Sequence, residues 1–514
     1  MSDPPQNPAG LTSRNTDSSA TALAVLLLLT VVAFLLMGYH PGLEDDAYYL
    51  AAIKHNLNPF LFPHDAEFFA LQFQATAYDK LVAVFVRVTH LPLAWTLFLW
   101  QFAAIFLILH GCWRISRRCF ADRPAQWGAV TMIAVLLALP VSGTGINLVD
   151  QYLHPRSLAT AAIAAAVVEV LDRRLWLAGI LLAFAFANHA LMASFGISFC
   201  FFLWWNLGRA GRRRSAPLAS IALLAPLGWI FEPSSDAWRQ AASTRSFYYL
   251  SHWQWYEWLG VFAPLVLIYA SLHLLRRGGD SHDRDSVLRS FVASLFYYGV
   301  FQTIVGLIIM LPPRLERLRP FEPMRYLHLL YLFFFLIVGA LLGRYLLGRH
   351  IYRWVLLFVP LGSGMFYAQR QMYPASQHLE LPGRNPANAW VQAFTWIRQN
   401  TPVDSYFALD PLYMPLPGED FHGFRALAER SAMADFDKDG GMAARVPRLA
   451  PRWLKEVTAL KDWRNFQGGD FAKLKNEFGV NWVVLSRADA DFSSQELGTN
   501  CPYRNATVAV CRVE

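Results

Sequence analysis

Over residues 21–369 the apolar positions of this chain run together in long stretches. Over 370–514 they shorten and alternate with polar ones. The long runs lie near 21–39, 93–113, 126–144, 157–171, 175–188, 190–207, 217–231, 258–275, 289–311, 326–347 and 351–369. A spanning helix needs about 20 mostly apolar residues, so the pattern predicts a polytopic α-helical membrane protein with about eleven transmembrane helices. Runs 157–171 and 175–188 are short for that role. Residues 1–20 are rich in Pro, Ser, Thr and Asn, and are expected to be disordered. The first run lacks a small-x-small cleavage site, since Gly38-Tyr39-His40-Pro41 follows it, and reads as an uncleaved signal-anchor.

The connection between the first two runs, residues 40–92, is long. Tyr48, Tyr49, Ile53, Leu57, Phe60, Phe62, Phe68, Phe69, Leu71 and Phe73 give it apolar faces at helical spacing. It is expected to form amphipathic helices on the membrane surface. In the tail, 370–514, Trp390, Phe394 and Ile397 mark a helix over 388–400. Tyr406 to Leu409, Val480 to Leu485 and Ala506 to Val510 read as strands. Further helices are expected near 424–435, 452–461 and 470–478, which together make a small α/β domain.

Composition sharpens the membrane reading. Hydrophobic residues make up 55% and charged residues 16% of the chain, with a mean hydropathy of +0.28. Soluble domains carry about 25% charged residues. The net charge of +8 resides in clusters at the ends of even-numbered runs: Arg114, Arg117, Arg118 and Arg123; Arg173 and Arg174; Arg209 and Arg212 to Arg214; Arg276 and Arg277; Arg344 and Arg349. Lys/Arg excess marks cytoplasmic loops. The N-terminus is therefore expected inside, in an inner (cytoplasmic) membrane, and the tail outside. The same placement removes any need for a nucleic-acid partner. Cys112, Cys119 and Cys200 read as small buried hydrophobes, whereas Cys501 and Cys511, outside the cytoplasm, can close a disulfide.

Candidate chemistry sits in the odd-numbered connections. Glu44-Asp45-Asp46 follows the first run. Clustered carboxylates repel unless they hold a cation or shift a pKa for proton transfer. Asp45 or Asp46 could instead cap the helix beginning at Ala47. Asp65, between His64 and Glu67, adds a second acidic group in the same loop. Asp150, His154 and Arg156 put an acid, an imidazole and a guanidinium within a turn or two, and serve either a metal, a phosphate or an ordinary polar turn. Asn188-His189 ends the fifth run, where a functional imidazole and a hydrogen-bonded helix end both fit. The segment from Arg314 to Arg325 is basic on the outer side, against the orientation rule. Guanidinium groups bind phosphate oxygens bidentately, and Arg325, directly before the tenth run, is the best candidate for a lipid phosphate. Arg425 to Arg430 and Asp437-Lys438-Asp439-Gly440-Gly441 read as a solvated surface, with the Gly pair in a turn or anion nest.

An inside N-terminus, an acidic motif after the first span in a long amphipathic loop, Asp150 in the second external loop, many short spans and an external α/β tail together resemble the C-type membrane glycosyltransferases. The tail stretch from Trp396 to Phe407 also resembles the tails of bacterial membrane proteins of this shape. The resemblance implies a first-loop acid serving as catalytic base or metal ligand, a possible divalent cation (Mg or Mn) on Asp45 and Asp46, and a polyprenyl-phosphate-linked sugar donor. No Trp-Trp-Asp motif of the oligosaccharyltransferases occurs, which argues against protein N-glycosylation. The implied function is transfer of a sugar from such a donor to an envelope acceptor on the outer face. A transporter or flippase of a lipid-linked precursor and a non-catalytic envelope assembly protein are the alternatives. Acids and Arg325 converging on one cavity favour the enzyme.

Overall fold

The structure, a computed structural model, describes residues 19–74, 76–209, 234–277, 283–486 and 499–513. The expected run 217–231 lies outside them, as does the disorder expected for 1–20, apart from Ser19 and Ala20. The described helices before the tail are α1 (Ser19–Met37), α2 (Asp46–Leu57), α3 (Glu67–Phe73), α4 (Tyr78–Thr89), α5 (Leu93–Cys119), α6 (Arg123–Leu136), α7 (Pro155–Leu171), α8 (Leu175–Asn188), α9 (Ala190–Arg209), α10 (Asp236–Ser243), α11 (Trp255–Arg277), α12 (Asp283–Met310), α13 (Leu327–Leu342) and α14 (Ile351–Met372). Seven of the described helices, α1, α5, α9, α11, α12, α14 and the one built around α13, are long and apolar enough to cross a membrane. Their outward faces carry side chains such as Val266, Leu356 and Val359 more than half exposed, as lipid contact allows.

Three expected runs make shorter helices. α7 has 17 residues, nearly all buried, and α6 and α8 have 14 each. The run 126–144 does not continue as helix because Pro140 lacks an N–H and clashes with the preceding turn. The chain there forms a hairpin of β1 (Pro140–Val141) and β2 (Ile146–Asn147). Gly143 and Gly145, at φ 65° and 64°, supply the left-handed positions of its loop.

The tail builds a five-stranded sheet from β3 (Tyr406–Leu409), β4 (Ser431–Ala432), β5 (Trp482–Ser486), β6 (Thr499–Arg504) and β7 (Val508–Val513), in the order β4-β3-β5-β7-β6. β3 runs parallel to β4 and β5, while β7 runs antiparallel to β5 and β6. Around it lie α15 (Ala389–Asn400), α16 (Phe424–Ala428), α17 (Lys438–Arg445), α18 (Ala450–Ala459) and α19 (Gly468–Phe478). Asn388 caps α15 by accepting from the N–H groups of Trp390 and Val391. The helix expected over 424–435 stops at Ala428, where Glu429 turns left-handed at φ 53° and the chain enters β4. Cys501 and Cys511 are disulfide-bonded across β6 and β7, and Cys112, Cys119 and Cys200 are free and buried.

The apolar face of α2 is covered by protein, whereas Phe60 and, on α4, Val84 and Val88 remain more than half exposed. Tyr48, Tyr49 and Ile53 of α2 share a core with Phe62, Tyr78, Ala426 and Met442. Lys54 donates from Nζ to the Ala426 carbonyl and to Glu429 Oε1, both at 2.7 Å, locking α2 under α16. That contact brings the first loop and the tail together.

Candidate active site

The acidic motif splits by direction. Asp46 opens α2, and its Oδ2 accepts from the backbone N–H of Gly42 at 2.6 Å. It is 2% exposed, and burial pushes its carboxyl up to about 7. Neither Asp45 nor Asp46 caps α2 in the usual way. The side chains of Asp45 and Glu44 are 27% and 36% exposed and both line a cavity of about 750 Å³. The hairpin β1–β2, Asp150, Arg156, Arg245, Arg325, Lys438 and Arg445 complete much of its wall.

Lys438 begins α17, and its ammonium donates to Glu44 Oε2 at 2.5 Å and to Asp45 Oδ1 at 2.9 Å. Arg445 ends α17, seven residues on and so on the same helical face. It donates to Glu322 Oε1 at 3.0 Å. Glu322 also accepts from Arg325 through Oε2 at 2.6 Å. One buried carboxylate thus orients two guanidinium groups. Arg245 lies against α17 at Gly441, where an added Cβ would meet its guanidinium at 2.5–2.9 Å. Among the described residues no carboxylate pairs with Arg245, and its guanidinium lies 6.0 Å from the Phe247 ring centroid. Burial alone would raise the Asp45 carboxyl. Lys438, with Arg245 and Arg445 nearby, outweighs it and holds Asp45 well below the usual carboxylate range.

α17 is positioned from beneath. Asp435 accepts from the N–H groups of Lys438 and Asp439 at its N-terminus. Asp439 pairs with Arg425 at 2.9 Å, and Arg425 also pairs with Asp65. The segments Arg425 to Arg430 and Asp437 to Gly441, expected to be solvated, are therefore a buried ion network under the cavity floor. Their polar composition resembles a surface, but the charges cancel in pairs. Asp65, expected to bind substrate, is corrected by the same finding. It is 1% exposed and bonds Arg425 and the Ala432 N–H, and it lines neither cavity described here.

Asp150 and Arg156 form a closed pair, with Arg156 Nη2 donating to Oδ1 at 2.7 Å and to Oδ2 at 2.6 Å. His154 caps α7, its Nδ1 accepting from the Arg156 N–H at 2.9 Å. Burial, aided by Arg156, holds the imidazole well below the histidine range, so it is neutral. His154, Asn188 and His189 line a second cavity of about 480 Å³. Asp45, Arg325 and Arg445 border both cavities. Of the residues the sequence singles out, Glu44, Asp45, Asp150, His154, Arg156, His189 and Arg325 line one or both cavities. Sequence reading missed Arg245, Lys438 and Arg445. The usable signal was the seven-residue spacing of Lys438 and Arg445 across a Gly pair.

A divalent cation on Asp45 and Asp46 does not fit these residues. Asp46 turns inward, and the Lys438 ammonium already bridges the two acids that face the cavity. Among the described residues no three His, Cys, Asp or Glu side chains gather into a metal-holding group.

No protein-family model matches the chain, and no curated protein matches it. Among solved structures it is similar to the Archaeoglobus fulgidus oligosaccharyltransferase in its apo form, at 13% identity and TM-score 0.47, covering 93% of this chain and 71% of that one. It is also similar to the archaeal oligosaccharyltransferase AglB from the same organism in complex with an inhibitory peptide and a dolichol-phosphate, at 13% identity and TM-score 0.41 over 92% and 71%. A third structure, of the Archaeoglobus fulgidus enzyme with Zn and sulfate, gives 13% identity and TM-score 0.44 over 92% and 70%.

Proposed function

We propose that this chain transfers a sugar from a polyprenyl-phosphate-linked donor to an acceptor, with Asp45 as general base. One observation carries the reading. Among the described residues, Asp45 is the only acidic residue bordering both cavities, and three guanidinium groups and an ammonium surround it. A phosphate leaving group needs cations where charge develops, and an incoming nucleophile needs a base beside it. Arg245, with no carboxylate of its own, and Arg325 and Arg445, aligned by Glu322, are suited to the phosphate oxygens. A guanidinium supplies paired N–H donors in a plane, the geometry that phosphate accepts.

Asp45 remains ionised at neutral pH, so it is ready to accept a proton. Its low pKa makes it a modest base. Proton transfer then requires the nucleophile's acidity to rise as its bond to the sugar forms. Lys438 bridges Glu44 and Asp45 and offsets their mutual repulsion. It does so without open coordination positions.

The test is transfer of radiolabelled sugar from polyprenyl-phosphate-linked donors in membranes containing the full chain. Asp45→Asn should lower the rate by about a hundredfold or more, with donor binding retained. Arg245→Ala or Arg445→Ala should weaken donor binding instead. Donor binding that survives both arginine changes, or transfer that survives Asp45→Asn, contradicts the assignment. Movement of intact lipid-linked precursor across vesicles without transfer would favour the transporter.

A further inference from the structure

The second cavity carries a polar pattern that the donor does not use. His154 and Asn188, each 1% exposed, and Thr76 all line it. His154 Nε2, Asn188 Oδ1 and Thr76 Oγ1 are buried and without a hydrogen-bond partner. Their roles are fixed by their other contacts. His154 Nδ1 accepts from the Arg156 N–H, so in the neutral ring Nε2 carries the proton and donates. Asn188 Nδ2 donates to the Phe184 carbonyl at 2.9 Å, leaving Oδ1 as a pure acceptor. Thr76 can do either. An unmade hydrogen bond on a buried group costs about 1–3 kcal/mol, and three residues of this one cavity wall each carry such an atom, which points to a ligand that meets them as it seats.

We propose that this cavity binds an uncharged hydroxyl-bearing acceptor, a saccharide or polyol, and presents one hydroxyl to Asp45. The proposal rests on the transfer reading above and names its acceptor class. An anion leaves Asn188 Oδ1 without a donor, and a cation leaves His154 Nε2–H without an acceptor. Hydroxyl groups both donate and accept, and several on one ligand satisfy all three. Trp238 in the same wall has its Nε1 committed to the Ala444 carbonyl at 2.9 Å, which leaves its ring as an apolar contact, and sugars carry C–H faces that pack on rings. In the reaction the acceptor oxygen bonds to sugar C1 as the C1–O bond to phosphate breaks. The hydroxyl proton passes to Asp45. The electron pair of the broken bond leaves with the lipid phosphate.

The experiment uses the full chain in lipid nanodiscs. Saturation-transfer NMR reads binding of octyl β-glucoside below its micelle concentration, with octanamide as the comparison. Calorimetry on the same samples reads inorganic pyrophosphate at the arginine cavity. Wild type should bind the glucoside in preference to octanamide. Asn188→Leu and Thr76→Val, on different segments, should each weaken glucoside binding about fivefold or more, leave pyrophosphate binding unchanged and melt as wild type does. Glucoside binding that is absent, equalled by octanamide or indifferent to both substitutions overturns this inference while pyrophosphate binding upholds the donor site. Loss of pyrophosphate binding with glucoside binding intact overturns the donor reading instead.

Discussion

Asp45 and Asp46 are neighbours in sequence, yet one is held ionised and the other is pushed toward protonation. The difference is direction. Asp45 faces Lys438, whereas Asp46 faces its own turn and the Gly42 N–H. The raised Asp46 pKa has a stability consequence. Ordinary aspartate titrates near 3.8, and Asp46 in the fold near 7. Its protonated form therefore favours the fold, fully so below the unfolded value, and that contribution is lost as pH rises from about 4 through about 7. Asp46→Asn keeps an acceptor for the Gly42 N–H and never ionises. It should melt above wild type at pH 8, with the gap narrowing as pH falls toward about 4. A constant gap across that range would remove the titration argument. Lys438 gives a second residue-scale expectation. If its ammonium is the cation of the site, transfer should persist in EDTA, while Lys438→Met, leaving Glu44 and Asp45 unscreened, should lose most of it. Restoration of the Lys438→Met variant by Mg or Mn would mean that a metal can take the ammonium's place.

At the scale of elements, α17 does most of the positioning with eight residues. Asp435 caps it, Asp439 anchors it to Arg425, and its ends deliver Lys438 and Arg445. The Gly pair allows this closeness. Gly441→Ala would place a Cβ against the Arg245 guanidinium, the far end of a flexible side chain. The guanidinium can move aside, so folding should change little. Donor affinity should fall roughly tenfold, the value of one charge-assisted hydrogen bond of about 1.5 kcal/mol, while the rate at saturating donor changes less. α17 was also the element hardest to read from sequence. Charged and Gly-rich residues in a polar tail suggest solvent, because periodicity reports apolar faces and the ends and first turn of α17 are held by ion pairs, with only Met442, Ala443 and Ala444 in the apolar core. The acids after α1 and Arg325 before α13 were legible for the opposite reason, since a charge at the edge of an apolar run stands out. The hairpin β1–β2 was hidden because Val141 and Ile146 extend the apolar count past Pro140, and only Pro and Gly mark the break. β6 pairs with its neighbour in the chain, β7, but Thr499-Asn500-Cys501-Pro502-Tyr503-Arg504 carries too few apolar positions to leave an alternation strong enough to find.

Across the whole molecule, the cavities and the basic clusters occupy opposite ends of the same helices. α7 begins beside Arg156 at the cavity and ends at Arg173 and Arg174. α13 begins at Arg325 and leads into Arg344. At the far end Arg118 pairs with Asp172, Arg114 with Glu169 and Arg344 with Asp122. Among the described residues, the clusters at the ends of α5, α7 and α13 therefore lie on one side, as the expected cytoplasmic face would place them. On that orientation the cavities, the five-stranded sheet and the Cys501–Cys511 disulfide lie on the outer side, where a disulfide persists and a lipid-linked sugar would be consumed. The orientation is testable apart from any activity. An alkaline phosphatase fused after residue 375 should be active, and one fused at residue 121, between α5 and α6, should be silent. A cytoplasmic reporter should give the reverse at both positions. Silence at 375 with activity at 121 would invert the protein, put the cationic cavity on the cytoplasmic face and make a cytoplasmic nucleotide-linked or lipid-linked donor equally accessible to Asp45.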